Sequence, residues 1–249
     1  SDRDWSSDVC SSDLILLITD IHANLRGLQA VLDRYDSADE IWCLGDIVEY
    51  GPSPTECIAL ARDRCHHIVL GNHDATYASE DEDLVANNVW ATDRQPDDTQ
   101  WLRGLPTSLT VTIDGLSYYL VHASPQNPLG GTLWPHADPG QFEEALSIAG
   151  TDRVLFGHSH MAFIHDIDGR LLVNAGTIGQ PRDGDYRAQC MLIEDGAIRF
   201  ERVDYDLEAL RGDYAQSCLP DDIKETWFRY TQQGVVDVHG LQRGPFSTH

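Results

Sequence analysis

The sequence predicts a single α/β domain, with a helix-covered parallel sheet in its first half and hairpins through much of its second. Two observations carry this. Between residues 14 and 74, apolar runs alternate with helix-period stretches, giving the β-α-β-α-β order of a parallel sheet. From residue 109 onward, Asp114-Gly115, Asp168-Gly169 and Asp195-Gly196 each separate two strand-like runs, the mark of a tight hairpin. The length of 249 residues suits one large α/β domain or two small ones, and no repeat, low-complexity tract or linker divides it.

LILLIT (14–19) reads as a buried strand ending at Asp20. Residues 23–35 place Leu25, Leu28, Val31, Leu32 and Tyr35 at helical spacing. EIWCLGD (40–46) is a second buried strand that stops at Gly-Asp. Residues 53–64 form a helix with Ser53 as N-cap and Pro54 in the first turn. HHIVLGNHD (66–74) is a third strand ending in a polar cluster. Residues 83–104 read as helix, broken at Pro96. The first hairpin covers 109–125, and its second strand ends at His122. A Pro- and Gly-rich loop follows to residue 140, with Trp134 expected to pack on the sheet. A helix covers 141–149, and RVLFGHSH (153–160) is the next strand. Two further hairpins occupy 162–176 and 190–206. Residues 206–249 read as a helical C-terminal extension of the same domain.

Composition narrows the function classes. The net charge of −24, with only 17 Lys and Arg and no basic run, excludes an extended nucleic acid as partner. A small phosphorylated substrate remains compatible if bound metal supplies positive charge. No apolar run approaches the length of a membrane span. Six cysteines, none in C-x-x-C spacing, read as reduced, buried thiols of a cytoplasmic protein. DWSSDVCSSDL (4–14) matches the in-frame translation of a common sequencing-adapter oligonucleotide. Residues 1–13 are therefore left out of the fold reading as an unstructured artefact.

The functional signal is that five strands stop at side chains of one chemical kind. They are Asp20-Ile-His22, Gly45-Asp46, Gly71-Asn72-His73-Asp74, His122, and Gly157-His158-Ser-His160. In an extended chain His158 and His160 point to the same side. Ligands bind beyond the carboxyl ends of strands in open α/β sheets, so all five groups would converge on one edge. Mixed imidazole and carboxylate donors suit divalent transition metals, and seven donors suit two ions sharing a carboxylate. His66, His67, His136, His165, His239 and His249 read as surface or loop histidines.

Together these motifs resemble the calcineurin-like metallophosphoesterases, whose pattern is D-x-H, G-D, G-N-H-[DE], H and G-H-x-H, each after a strand. Here it stands as DIH (20–22), GD (45–46), GNHD (71–74), VH (121–122) and GHSH (157–160). The resemblance implies a four-layer α/β/β/α sandwich and a dinuclear metal-dependent phosphohydrolase. It implies that Asp20, His22, Asp46 and His160 hold one ion. Asp46, Asn72, His122 and His158 would hold the other, with Asp46 bridging. The ions would be Mn, Fe, Ni, Co or Zn, Mn favoured, and a bridging hydroxide would attack phosphorus in line. His73 and Asn72 would contact the phosphate. His73 would also protonate the leaving group, oriented by Asp74.

Specificity is read from two stretches, one that departs from a pattern of the family and one that resembles another. Phosphatases of the family that carry G-D-x-V-D-R-G contact phosphate through its Arg, whereas GDIVEYG (45–51) has Glu49 and Tyr50 at those places. NAGTIGQPRDGD (174–185) resembles a loop of the short bacterial phosphodiesterase branch and offers Arg182 for substrate binding. A phosphodiesterase is therefore expected. The alternatives are a phosphomonoesterase or protein phosphatase, a dinucleoside polyphosphate hydrolase, and, last, a non-catalytic protein-binding scaffold. Oligomeric state is left open.

Overall fold

The computed structural model describes residues 13–91 and 94–235. The adapter-like segment, apart from Asp13 and Leu14, and His239 and His249 lie outside the described residues.

Two five-stranded sheets face each other. The first has the order β10-β9-β1-β2-β3. Its strands are β1 (Ile15–Ile18), β2 (Glu40–Cys43), β3 (His67–Ile68), β9 (Ala188–Glu194) and β10 (Ala197–Val203). The parallel trio β1-β2-β3 arises from the two crossover helices, α1 (Leu25–Arg34) and α2 (Pro54–Arg64). The β9-β10 hairpin adds antiparallel to β1, with Leu16 opposite Leu192. The second sheet has the order β4-β5-β6-β8-β7, from β4 (Ser108–Ile113), β5 (Leu116–Val121), β6 (Arg153–Phe156), β7 (Phe163–Ile167) and β8 (Arg170–Asn174).

The alternation of side chains along β1 sorts its residues between two cores. Ile15 and Leu17 meet Trp42, Leu44, Tyr118, Leu120, Leu155 and Val173 between the sheets. Leu16 and Ile18 face the other way, into the helices, among them Leu28, Val31 and Ile58. Helix α6 (Pro139–Ala149) covers the far side of the second sheet through Phe142, Ala145 and Leu146. The layers are thus α/β/β/α. Helices α7 (Leu207–Gln216) and α8 (Asp221–Gln233) contribute Leu210, Tyr214, Trp227 and Phe228 to the same core as β1 and β2.

Several boundaries differ from expectation. β3 is two residues long, because Leu70 N bonds Pro106 O and the chain then turns into helix α3 (Asn72–Tyr77). The expected helix over 83–104 is α4 (Glu82–Ala86), a 3₁₀ turn (Val89–Ala91) and α5 (Pro96–Arg103). Pro96 starts α5, since a first-turn proline sacrifices an amide that has no intrahelical partner. Trp134 is 37% exposed rather than packed on the sheet. Of the described thiols, Cys43, Cys57 and Cys190 are buried as expected, but Cys218 is exposed. None is in a disulfide, and no helix among the described residues is long and apolar enough to cross a membrane.

Candidate metal centre

The ends of β1, β2, β3, β5 and β6 bring the seven expected donors to one place. Asp20, His22 and His160 form one group, and Asp46, His122 and His158 another. Asn72 joins the second, its Oδ1 lying 3.0 Å from His122 Nε2. The expected extended geometry at His158 and His160 is not what joins them to the site. Both have positive φ, 67° and 60°, and they serve different groups. Asp20, His22 and Asp46 also lie in the left-handed region, with φ of 50°, 48° and 53°. Five donors therefore sit in a conformation that costs a non-glycine residue roughly 1–2 kcal/mol. The surrounding packing must hold them there.

Each carboxylate is pinned by one oxygen and offers the other. Asp20 Oδ2 accepts from Thr19 Oγ1 at 2.7 Å and from His158 N at 3.0 Å. Asp46 Oδ1 accepts from His73 N at 2.8 Å. The remaining oxygens, Asp20 Oδ1 and Asp46 Oδ2, are buried without a hydrogen-bond partner. Three imidazoles are turned to match. Nδ1 of His22, His122 and His160 bonds the carbonyls of Val48, Leu44 and Gln180. In neutral rings that arrangement leaves a lone pair on each Nε2.

Those lone pairs converge on the orphaned oxygens. His160 Nε2 lies 3.1 Å from Asp20 Oδ1 and 3.2 Å from His22 Nε2. His122 Nε2 lies 3.1 Å from Asp46 Oδ2, and His22 Nε2 lies 3.8 Å from the same oxygen. Acceptors facing acceptors in a buried site call for a cation between them. Burial pushes His22 and His160 down, as neutral ligands require. At His122 burial also pushes down, but the Asp46 carboxylate outweighs it and holds the ring at about 9, so a cation beside Asp46 Oδ2 would take the place of the Nε2 proton. The donor set fits two divalent ions, with Asp46 Oδ2 facing members of both groups.

Two glycines make room for this packing. A Cβ on Gly71 would lie 2.1 Å from Asp46 Oδ1, and one on Gly157 would lie 2.4 Å from Asp20 Oδ2.

The expected orientation of His73 by Asp74 is corrected. Neighbouring residues on a helix do not face each other, and both lie in α3. The Asp74 carboxylate turns inward and accepts from the amides of Ile47, Val48 and Gly71 at 2.8, 3.2 and 3.1 Å. The partner of His73 Nδ1 is the Glu49 carboxylate, which also accepts from Asn88 Nδ2 at 2.6 Å. Burial would lower the His73 pKa, but Asp46 and Glu49 outweigh it and raise it to about 9. Glu49 was visible in the sequence only as a replaced residue of GDIVEYG. Its role needed the fold. Arg182 lies among the same charges. Burial lowers it, Tyr50, Asp20 and Asp46 act the other way, and its buried Nε has no hydrogen-bond partner.

The family model for the calcineurin-like phosphoesterase superfamily domain matches residues 14–196. The chain belongs to this superfamily. An uncharacterized protein, MJ0912 of Methanocaldococcus jannaschii, is 30% identical over 241 residues, covering 86% of this chain and 97% of that one. A symmetrical bis(5'-nucleosyl)-tetraphosphatase of Haemophilus ducreyi is 32% identical over 131 residues, 47% of this chain and 48% of the relative. The crystal structure of a metallophosphoesterase from Sphaerobacter thermophilus superposes with a TM-score of 0.75 at 30% identity, covering 90% of this chain and all of that one. The superfamily domain, the fold and the two donor groups together identify a metal-binding phosphoesterase, a hydrolase.

Proposed function

We propose that this hydrolase is a phosphodiesterase acting on a small phosphorylated substrate in the cytoplasm. Asp20, His22, Asp46 and His160 hold one ion in this reading, and Asp46, Asn72, His122 and His158 the other. The bound ions, Mn favoured among Mn, Fe, Ni, Co and Zn, would polarise the phosphoryl oxygens and lower the pKa of the attacking water. The protein's own groups do the rest. Asn72 and Arg182 bind the phosphate, the latter through a guanidinium that has a free Nε. His73, charged and held by Glu49, steadies the phosphate and gives its Nε2 proton to the leaving oxygen.

The observation that carries a diester over a monoester is that a phenol stands beside His73 where the resemblance would place a guanidinium. The phenol is Tyr50, and Arg182 is the guanidinium set among these groups. That suits a singly charged phosphate better than a dianion. The test is turnover of bis-p-nitrophenyl phosphate against p-nitrophenyl phosphate by the Mn-loaded protein, with Asp46→Asn as the blank. Preference for the diester, lost in the blank, supports the reading, and preference for the monoester refutes it.

A second reading, hydrolysis of a dinucleoside polyphosphate, is favoured by the stretch similar to symmetrical tetraphosphatases. Faster turnover of diadenosine tetraphosphate than of any simple diester would select it. Residues 206–249 are proposed to be an extension of the one domain, supported over 206–235 by the core that α7 and α8 share with β1; residues 236–249 lie outside the described residues.

A further inference from the structure

His73 is engaged at both ends of its ring by consecutive residues. Glu49 takes Nδ1, and the Tyr50 hydroxyl lies 3.0 Å from Nε2. Glu49 and Tyr50 have φ of 67° and 64°, so two adjacent non-glycine residues occupy the left-handed region. Such a pair persists only where packing over-determines it.

Most of the packing comes from the two C-terminal helices, α7 and α8. The Tyr50 ring stacks on Trp227 of α8, with centroids 4.2 Å apart and planes 13° apart. Trp90 meets the same ring edge-on at 5.9 Å. Tyr214 of α7 donates its hydroxyl hydrogen to the Tyr50 carbonyl at 2.9 Å. The phenol is thus clamped by ring and by backbone, and its hydroxyl is delivered to one nitrogen.

We infer that Tyr50 is a positioning residue for His73, and that α8 acts on the reaction through the Trp227–Tyr50 stack. This rests on the reading of His73 as the proton donor to the leaving group. A hydrogen bond at Nδ1 alone leaves the imidazole free to swing about that contact. A second at Nε2 fixes where its proton points. In charged His73 the Nε2–H donates to the Tyr50 oxygen until the leaving oxygen approaches. The P–O bond then breaks, its electron pair stays on the leaving oxygen, and the Nε2 proton joins that oxygen. His73 is left neutral, an acceptor for the Tyr50 hydroxyl. The phenol can serve both states because it donates and accepts.

The test is a series of aryl phosphodiesters running from p-nitrophenyl to phenyl leaving groups. A good leaving group needs little proton help and a poor one needs much. Tyr50→Phe keeps the ring and its stack but removes the hydroxyl. It is expected to lose about 5- to 20-fold more kcat on the phenyl ester than on the p-nitrophenyl ester, as one lost hydrogen bond would. Metal content should match the unsubstituted protein. Trp227→Leu should shift the ratio in the same direction, and Trp227→Phe should restore it.

Equal losses of Tyr50→Phe on both esters, or none on either, would overturn the inference. His73→Ala separates the two levels. If it steepens the leaving-group dependence and Tyr50→Phe does not, the inference fails and His73 remains the proton donor. If His73→Ala leaves the dependence unchanged, the role proposed for His73 fails.

Discussion

Gly71→Ala tests whether the metal centre depends on backbone closeness rather than backbone freedom. Gly71 has φ −90° and ψ 167°, which any residue adopts without strain. A conformational argument therefore predicts no cost. The space argument predicts a large one. The new Cβ would lie 2.1 Å from Asp46 Oδ1, 2.2 Å from Asp46 N and 2.9 Å from Asp46 Cα. Two of these are backbone atoms that cannot rotate aside. Asp46 must retreat by about 1 Å, and a misplacement of that size costs roughly 10²-fold in rate. Overpacking adds about 1–3 kcal/mol of lost stability. Gly115→Ala is the control. Its φ is +78° and nothing lies within 4 Å of the new methyl, so it should cost about 1 kcal/mol through conformation alone. The assay is metal stoichiometry by mass spectrometry, with thermal unfolding and turnover of the Mn-loaded proteins. Gly71→Ala should lose metal and turnover, and Gly115→Ala should keep both. Full metal content and undiminished turnover in Gly71→Ala would refute the reasoning.

Glu49→Gln weakens a charge-assisted bond worth about 1.5–3 kcal/mol, so kcat on esters with poor leaving groups should fall roughly 10- to 100-fold. Asp74→Asn instead disturbs three buried amide contacts and should lower stability by about 1–3 kcal/mol in denaturant unfolding. If Asp74→Asn reproduced the rate loss without the stability loss, Glu49 would not be the partner that matters. Burial pushes the Cys190 thiol up to about 12 and raises Cys57 as well, while Cys43 is raised by its hydrogen bond with Cys65 and by burial. In a thiol-reagent assay at pH 8, exposed Cys218 should react before these three, which should react only on unfolding. The Arg187 guanidinium holds Asp185 at about 2, below its ordinary 3.8. That stabilisation is present above pH 4 and is lost as pH falls towards 2, so Asp185→Asn should flatten the acid limb of unfolding. Superimposable acid limbs would refute it.

Much of the centre was legible because its donors follow strands, and strands are legible from apolar runs. The three hairpins were equally plain, since Asp-Gly supplies the positive φ such turns need. What escaped was set by approach between distant segments. The resemblance points to the adjacent Asp74 as the partner of His73, but helix geometry turns neighbours apart and the fold brings Glu49 across from another loop. The tautomers of His22, His122 and His160 are fixed by backbone carbonyls, which carry no side-chain signal. The left-handed conformation of the donors was also invisible, because most Asp and His residues do not adopt it and tertiary packing imposes it here. The stack of Trp227 on Tyr50 was equally hidden, since it joins residues far apart in the chain.

The pairing of β1 with β9 has a consequence for how the protein is made. β1 carries Asp20 at its exit, yet Leu16 receives its partner Leu192 only when the ninth strand arrives. A ribosome extends the chain at about 5–20 residues per second, so the central strand waits many seconds with one edge open. Contacts of such long sequence separation fold slowly. A nascent chain stalled before β9 would hold every donor of both groups but lack the neighbour that seats the first. Catalytic competence is therefore a late event in the life of each molecule, reached only when the ninth strand closes the sheet.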